Sequence, residues 1–163
     1  MSTETIEAFY EAFSRRDHET MASLYHPEAT FSDPVFRDLH GKEIHAMWHM
    51  LCEQGEDLIV TWKNVEADGD TGSADWVATY TFGPTSRKVE NRIHATFRFE
   101  DGLVIEHRDR FDLWRWLRMA TGTIGAFFGW ASFAREKVRE TAMKSLDSFI
   151  AAHPEYQDDP AAS

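Results

Sequence analysis

Leu103-Val104-Ile105-Glu106-His107-Arg108-Asp109-Arg110-Phe111 is the stretch on which the reading of this chain turns. It follows the tight-turn pair Asp101-Gly102 and alternates with the period of a β-strand. Successive strand side chains point to opposite faces, so Ile105, His107, Asp109 and Phe111 share one face. Glu106, Arg108 and Arg110 take the other. Two ionisable groups therefore lie on the apolar side of a strand whose far side is already charged. A buried carboxylate costs several kcal/mol unless it is paired or hydrogen-bonded, so this placement needs a physical reason.

Three more strands are expected before it, at Leu58–Ala67, Ser73–Phe82 and Arg87–Glu100, separated by short polar or glycine-bearing turns. In the third of these, Ile93, Ala95, Phe97 and Phe99 face one way, and Arg92, His94, Thr96 and Arg98 the other. One face of the sheet is thus buried and the other wet. Further upstream the period is helical. Ile6, Phe9, Tyr10 and Phe13 form one stripe. Asp17 caps a second helix that buries Met21, Leu24 and Tyr25 and stops at Pro27. A third helix after Gly41 carries Ile44, Met47, Trp48 and Leu51 and ends at Gly55. A short extended piece, Ala29 to Asp33, lies between the second and third helices and is closed by Pro34. Asp33 shares its parity with Phe31 and so points inward or sits at a rim.

Downstream, Asp112 caps a short helix bearing Trp114, Trp116, Leu117 and Met119, stopped by Gly122. The apolar run Ile124–Phe133 reads as a lid or a dimer contact. A last helix over about Ser132–Ala152 buries Val138, Ala142, Leu146, Phe149 and Ile150. The expected organisation is residues 1–113 as the main domain, 114–153 as a helical extension packed on it, and 154–163 as a loose acidic tail. The fold class is α+β.

The composition narrows the function. With 163 residues, 42% of them hydrophobic, the chain can build one core. Its formal charge of −11 disfavours phosphate backbones and anionic lipid, so neither a nucleic acid nor a membrane is the expected partner. The N-terminus lacks the basic patch and apolar core of a signal peptide, and no apolar run approaches the ~20 residues of a spanning helix. The single Cys52 fits a reducing compartment, and a cytoplasmic location is expected. There is no glycine-rich phosphate loop, and no cofactor is expected. His45, His49 and Cys52, with Glu56 beyond, lie on one side of the third helix at a spacing metals favour, but they flank the apolar stripe and one helix rarely completes a shell, so a polar shoulder and no metal site are expected.

Ala12-Phe13-Ser14-Arg15-Arg16-Asp17, the run from His26 through Phe31-Ser32-Asp33-Pro34, Gly41 followed by Ile44 and Trp48, and the closing strand Asp101–Asp112 together resemble the nuclear transport factor 2-like superfamily. The resemblance spans Thr5 to Leu113. It implies a cone-shaped curved antiparallel sheet wrapped around N-terminal helices, as in ketosteroid isomerase, limonene epoxide hydrolase and SnoaL-like polyketide cyclases. It places Asp33 at the isomerase general base and Asp109 at a catalytic aspartate of the hydrolase and near the acidic residue of the cyclases. Dehydratases of this fold pair a histidine with an aspartate, as His107 could with Asp33 or Asp109. The isomerase's two oxyanion-binding positions fall on Phe9 and Ala95 here. The hydrolase's partner Arg and Asp positions fall on Trp76 and Ala78.

The expectation is a protein with a pocket for a hydrophobic, oxygen-bearing small molecule, functioning as a homodimer. Asp33, His107 and Asp109 are its candidate proton-transfer groups, and Tyr10, Trp76, Tyr80 and Phe97 its candidate lining. The bland alternatives are that Asp109 only pairs with His107, Arg37 or a backbone amide, and that Asp33 only caps a turn. A non-catalytic binding or dimeric assembly protein of the same fold remains the competing class.

Overall fold

The strict alternation of the long central strand dictates where the core lies. In a computed structural model, which describes residues 2–123 and 132–158, that strand (β5, Arg87–Glu100) buries Val89, Asn91, Ile93, Ala95, Phe97 and Phe99 and leaves the residues between them exposed or half-buried. It pairs antiparallel with β4 (Thr71–Phe82) on one side and β6 (Leu103–Arg110) on the other. The full sheet, with β1 (Tyr25–Ser32), β2 (Leu39–His40) and β3 (Ile59–Asp68), has the order β2-β1-β6-β5-β4-β3. Its outermost strands, β2 and β3, do not pair with each other, so the curved sheet stays unclosed.

Two helices fill the concave side. α1 (Ser2–Ser14) buries Ile6, Phe9, Tyr10 and Phe13, the stripe expected from the sequence. α3 (Lys42–Gln54) buries Ile44, Met47 and Trp48 between the caps Gly41 and Gly55. Gly41 has φ 52°, a left-handed value that glycine adopts without a Cβ penalty. α1 lies so close to the sheet that a Cβ on Gly72 would stand 2.8 Å from Ile6 Cδ1. α2 (His18–Ser23) is short, and the Asp17 carboxylate caps it by accepting from the Thr20 amide.

The chain departs from expectation in three places. The second helix ends at Ser23, and Tyr25 already belongs to β1. Pro27 is accommodated inside that strand because the pairing with β6 is interrupted between Tyr25 and Thr30, where no ladder amide is needed. β1 also runs parallel to β6, which makes the sheet mixed rather than wholly antiparallel. Finally, part of the expected loose tail is ordered. Pro154–Tyr156 forms a 3-10 turn, and Tyr156 packs half-buried with its hydroxyl 2.8 Å from His49 Nδ1.

After β6, Asp112 caps α4 (Leu113–Thr121) by accepting from the Arg115 amide, as its sequence implies. α5 (Ser132–Ala152) then returns to the main body, with Leu146 fully buried against the core and Ala142, Phe149 and Ile150 beside it. The run Ile124–Phe133, expected to be a lid or dimer contact, lies outside the described residues except for its last members. Phe133 is 67% exposed. Among the described residues no helix is long and apolar enough to cross a membrane.

Leu146 gives a direct measure of how firmly α5 is docked. Leu146→Ala should lower unfolding free energy by about 2–4 kcal/mol in a denaturant titration, the range for a large-to-small change in a packed core. Lys144→Ala, on the exposed side of the same helix, should leave it within about 0.5 kcal/mol.

Candidate functional site

His107 and Asp109 are buried at 0% and 5% exposure, so the parity read from the last strand holds. A ring cage surrounds the imidazole: Phe9, Tyr25, Phe31, Trp48 and Phe97 all have ring centroids 4.4–6.1 Å from it. Each ring nitrogen has one partner. Nδ1 lies 2.6 Å from the Tyr25 hydroxyl, and Nε2 lies 2.9 Å from Asp109 Oδ1.

The tautomer follows from the donors. Trp48 Nε1–H can only donate, and it donates to the Tyr25 oxygen at 3.0 Å. The phenol then gives its own proton to His107 Nδ1, and Nε2–H donates to Asp109. The opposite tautomer would leave the phenolic proton without an acceptor and set a bare lone pair against the carboxylate. Burial, the dominant influence, raises the Tyr25 phenol well above its ordinary value, so it stays a neutral donor. The result is a one-way line, Trp48 to Tyr25 to His107 to Asp109. Trp76 Nε1–H adds a long contact of 3.4 Å to the same Asp109 oxygen.

Asp33 reaches the site by register. In the parallel β1–β6 pair, Phe31 stands opposite His107 and Ser32 opposite Arg108, so the next residue of each strand is an aspartate. Asp33 and Asp109 line one depression of about 250 Å³, with Ser32, Pro34, Arg108 and Arg110. Asp33 Oδ1 accepts from the amides of Val35 and Phe36, at 2.7 and 2.6 Å, and so closes the turn at Pro34. Burial nevertheless raises its carboxyl from 3.8 to about 7; these amide bonds oppose the shift and the nearby charge of Asp109 adds to it. The turn role and the perturbed carboxyl therefore coexist in one residue.

The expected lining is only partly at the rim. Tyr10, Trp76 and Phe97 are buried and pack on one another, with Tyr10 centroids 5.6 Å from Trp76 and 6.4 Å from Phe97. They fill the interior instead of walling an open cone. The Tyr10 hydroxyl has no hydrogen-bond partner among the described residues. Its phenol is raised strongly, by burial first and then by Asp109. Tyr80 is half-buried, accepts from Trp116 Nε1–H of α4 at 2.7 Å, and feels the charge of Asp33. Each carboxyl of the depression thus has a phenol in its electrostatic neighbourhood.

Sequence reasoning missed two contributors to the site and one inward-facing polar residue. Spacing alone reads Tyr25 as the end of a helix, which hides its link from β1 to His107. Asn91 faces inward on β5, a placement its parity with Ile93 and Ala95 would have signalled. Arg139 of α5 donates from Nε to the Pro34 carbonyl at 2.8 Å and so pins the Asp33 turn; nothing in the sequence marks it. The helix trio His45, His49 and Cys52 does not converge. Cys52 is buried against Met21, its thiol pushed up to about 11 by burial. His45 has a buried Nε2 with no hydrogen-bond partner among the described residues. His49 instead faces His18, Glu53 and Tyr156.

Comparison with known proteins agrees with this architecture. IdmH of Streptomyces antibioticus, a proposed polyketide cyclase, superposes with a TM-score of 0.63 at 24% identity, over 73% of this chain and 97% of its own. An epoxide hydrolase of Mycobacterium tuberculosis resembling limonene epoxide hydrolase gives 0.61 at 19% identity, over 78% and 96%. A nuclear transport factor 2-like protein of unknown function from Burkholderia pseudomallei gives 0.65 at 18%, over 74% and 98%. None of the curated proteins matches the sequence. The model of the SnoaL-like domain matches residues 6–107, well over half of the chain and the part that carries most of α1, most of the sheet and His107, ending two residues before Asp109. On that match, and with the fold it predicts in place, the chain belongs to the SnoaL-like domain family.

Proposed function

We propose that this protein binds a hydrophobic, oxygen-bearing small molecule at the Asp33–Asp109 depression and moves a proton on it. The observation that carries the reading is the pair of carboxyls in one depression with unlike surroundings. Asp109 accepts on Oδ1 from His107 and Trp76, while its Oδ2 has no bond among the described residues and is free to take a proton. Asp33, held near 7, keeps its proton to neutral pH and acts as the acid. A carboxyl that holds its proton beside one with an open oxygen is a usual basis of an acid–base assignment.

His107 is sealed from the depression, so its role is to position Asp109 and steady its charge rather than to touch substrate. Tyr10 is buried as deeply and stays out of reach of substrate, so the half-buried Tyr80 beside Asp33 is the phenol left as a donor for a developing negative oxygen. The depression, at about 250 Å³, is below the ~300–1,000 Å³ of ordinary ligand sites, so it takes the reacting end of a ligand and leaves the rest outside. The cyclase and hydrolase descriptions of similar structures agree with this class of chemistry.

The packed interior favours one second reading, a non-catalytic ligand-binding or dimeric assembly protein that keeps the buried pair for stability alone. A substrate-independent assay separates the two. In D2O, the α-protons of 2-tetralone should exchange faster with the protein than in buffer, followed by 1H NMR. Asp109→Asn should remove about 100-fold or more of that acceleration, and Asp33→Asn a smaller part. Acceleration that survives both substitutions, or none with the native protein, would overturn the proton-transfer reading.

A second prediction concerns stability. The folded state keeps the Asp33 proton up to about pH 7, whereas the unfolded chain releases it near 3.8. The folded state binds more protons in that window, so Asp33 makes stability fall as pH rises from about 4 to 7. Asp33→Asn keeps the amide acceptor and removes the titration. Its melting temperature relative to the native protein should therefore rise between pH 4 and pH 8.

A further inference from the structure

His49, which does not join its helix neighbours, is met instead by side chains from three other elements. The His18 ring from the start of α2 stacks on it at 3.6 Å, nearly parallel. His153, just past the end of α5, stands with its ring centroid 5.2 Å away. Glu155 follows in the 3-10 turn, and Glu53, one turn along α3, lies 3.0 Å from His49 Nε2. One ligand atom each from His49, His153 and Glu155 lies within 4.8 Å of the others. None of these residues belongs to the Asp33–Asp109 depression.

Two features prepare the cluster for a ligand. His153 Nδ1–H donates to the Phe149 carbonyl at 2.7 Å, which fixes the tautomer and leaves Nε2 as a bare lone pair. This backbone tether is the usual outer partner of a metal-bound histidine. His49 is held at both nitrogens, by Tyr156 at Nδ1 and Glu53 at Nε2, so whichever nitrogen binds, the other retains a partner. A tetrahedral ion with bonds of about 2.0–2.1 Å holds its ligand atoms about 3.3 Å apart. Closing from within 4.8 Å asks for side-chain adjustments of about 1.5 Å, and Glu155 is exposed and unconfined.

We propose that His49, His153 and Glu155 bind a divalent transition metal of the zinc class, with Glu53 completing the shell and His18 stacked behind His49. Imidazole with carboxylate selects zinc, nickel, cobalt or copper(II) over magnesium and calcium, which prefer all-oxygen shells. The ion ties the turn after α5 to α3 and so fastens the helical extension to the main body.

The test uses the full chain without an affinity tag, stripped with chelator and titrated with Zn2+ alone by calorimetry and thermal unfolding. One equivalent should bind and raise the melting temperature, and Mg2+ should do neither. Glu155→Gln, at an exposed position, and His153→Gln, at a half-buried one and checked for an unchanged fold by circular dichroism, should each weaken Zn2+ about ten-fold or more. His45→Ala should leave it unchanged. Binding equal in the native protein and His153→Gln, or no binding by the native chain, overturns the site.

Discussion

A buried imidazole with a polar nitrogen on each side must be given two partners, and the arrangement of three elements follows from that requirement at His107. A buried polar atom left unpaired costs about 1–3 kcal/mol. Here Tyr25 comes from β1, Trp48 from α3 and Asp109 from β6, and each supplies or receives one bond in a single direction. The two neighbouring strands and the helix are thereby locked to one another through their polar atoms as well as through the aromatic cage. Such a line specifies one packing more narrowly than apolar contacts alone.

The same line sets the electrostatics of the depression. Donors converge on one oxygen of Asp109, which stabilises its charge, and that charge in turn opposes ionisation of Asp33. Two aspartates in the same depression are therefore unlike in their surroundings, one tied to the buried line and the other to a turn. The extension beyond β6 takes part as well: Trp116 of α4 holds Tyr80, and Arg139 of α5 holds the carbonyl of Pro34.

The periodic elements were legible from the chain itself. The alternation of β5, the stripes of α1 and α3, the capping of α2 and α4, and the inward parity of His107 and Asp109 all follow from local spacing, because each element buries one face. What local spacing could not reveal was long-range. Pro27 signals a helix stop by itself, and only the irregular pairing with β6 explains why it sits in a strand. The convergence of Asp33 with Asp109 depends on the parallel register, and the dispersal of His45, His49 and Cys52 on where α2 and the last turn pack. The resemblance to known folds anticipated the cone, but the packing of Tyr10, Trp76 and Phe97 inside it is a property of these particular large side chains.

The irregularity in β1 bears on how the chain tolerates change. Between Tyr25 and Thr30 the strand advances five residues while β6 advances two, so three surplus residues bow out between two fixed points. Tyr25 is tied to the core at one end, and Asp33 follows the regular register at the other. The bow is mechanical slack. A residue gained or lost within 26–28 changes the size of the arch without shifting Asp33 against Asp109, whereas Ala29 is already core and held by the Gly41 amide, and the same change at 31 or 32 would turn Asp33 to the wrong face. Length errors here fall into a harmless class and a ruinous one, separated by a single hydrogen-bonded rung.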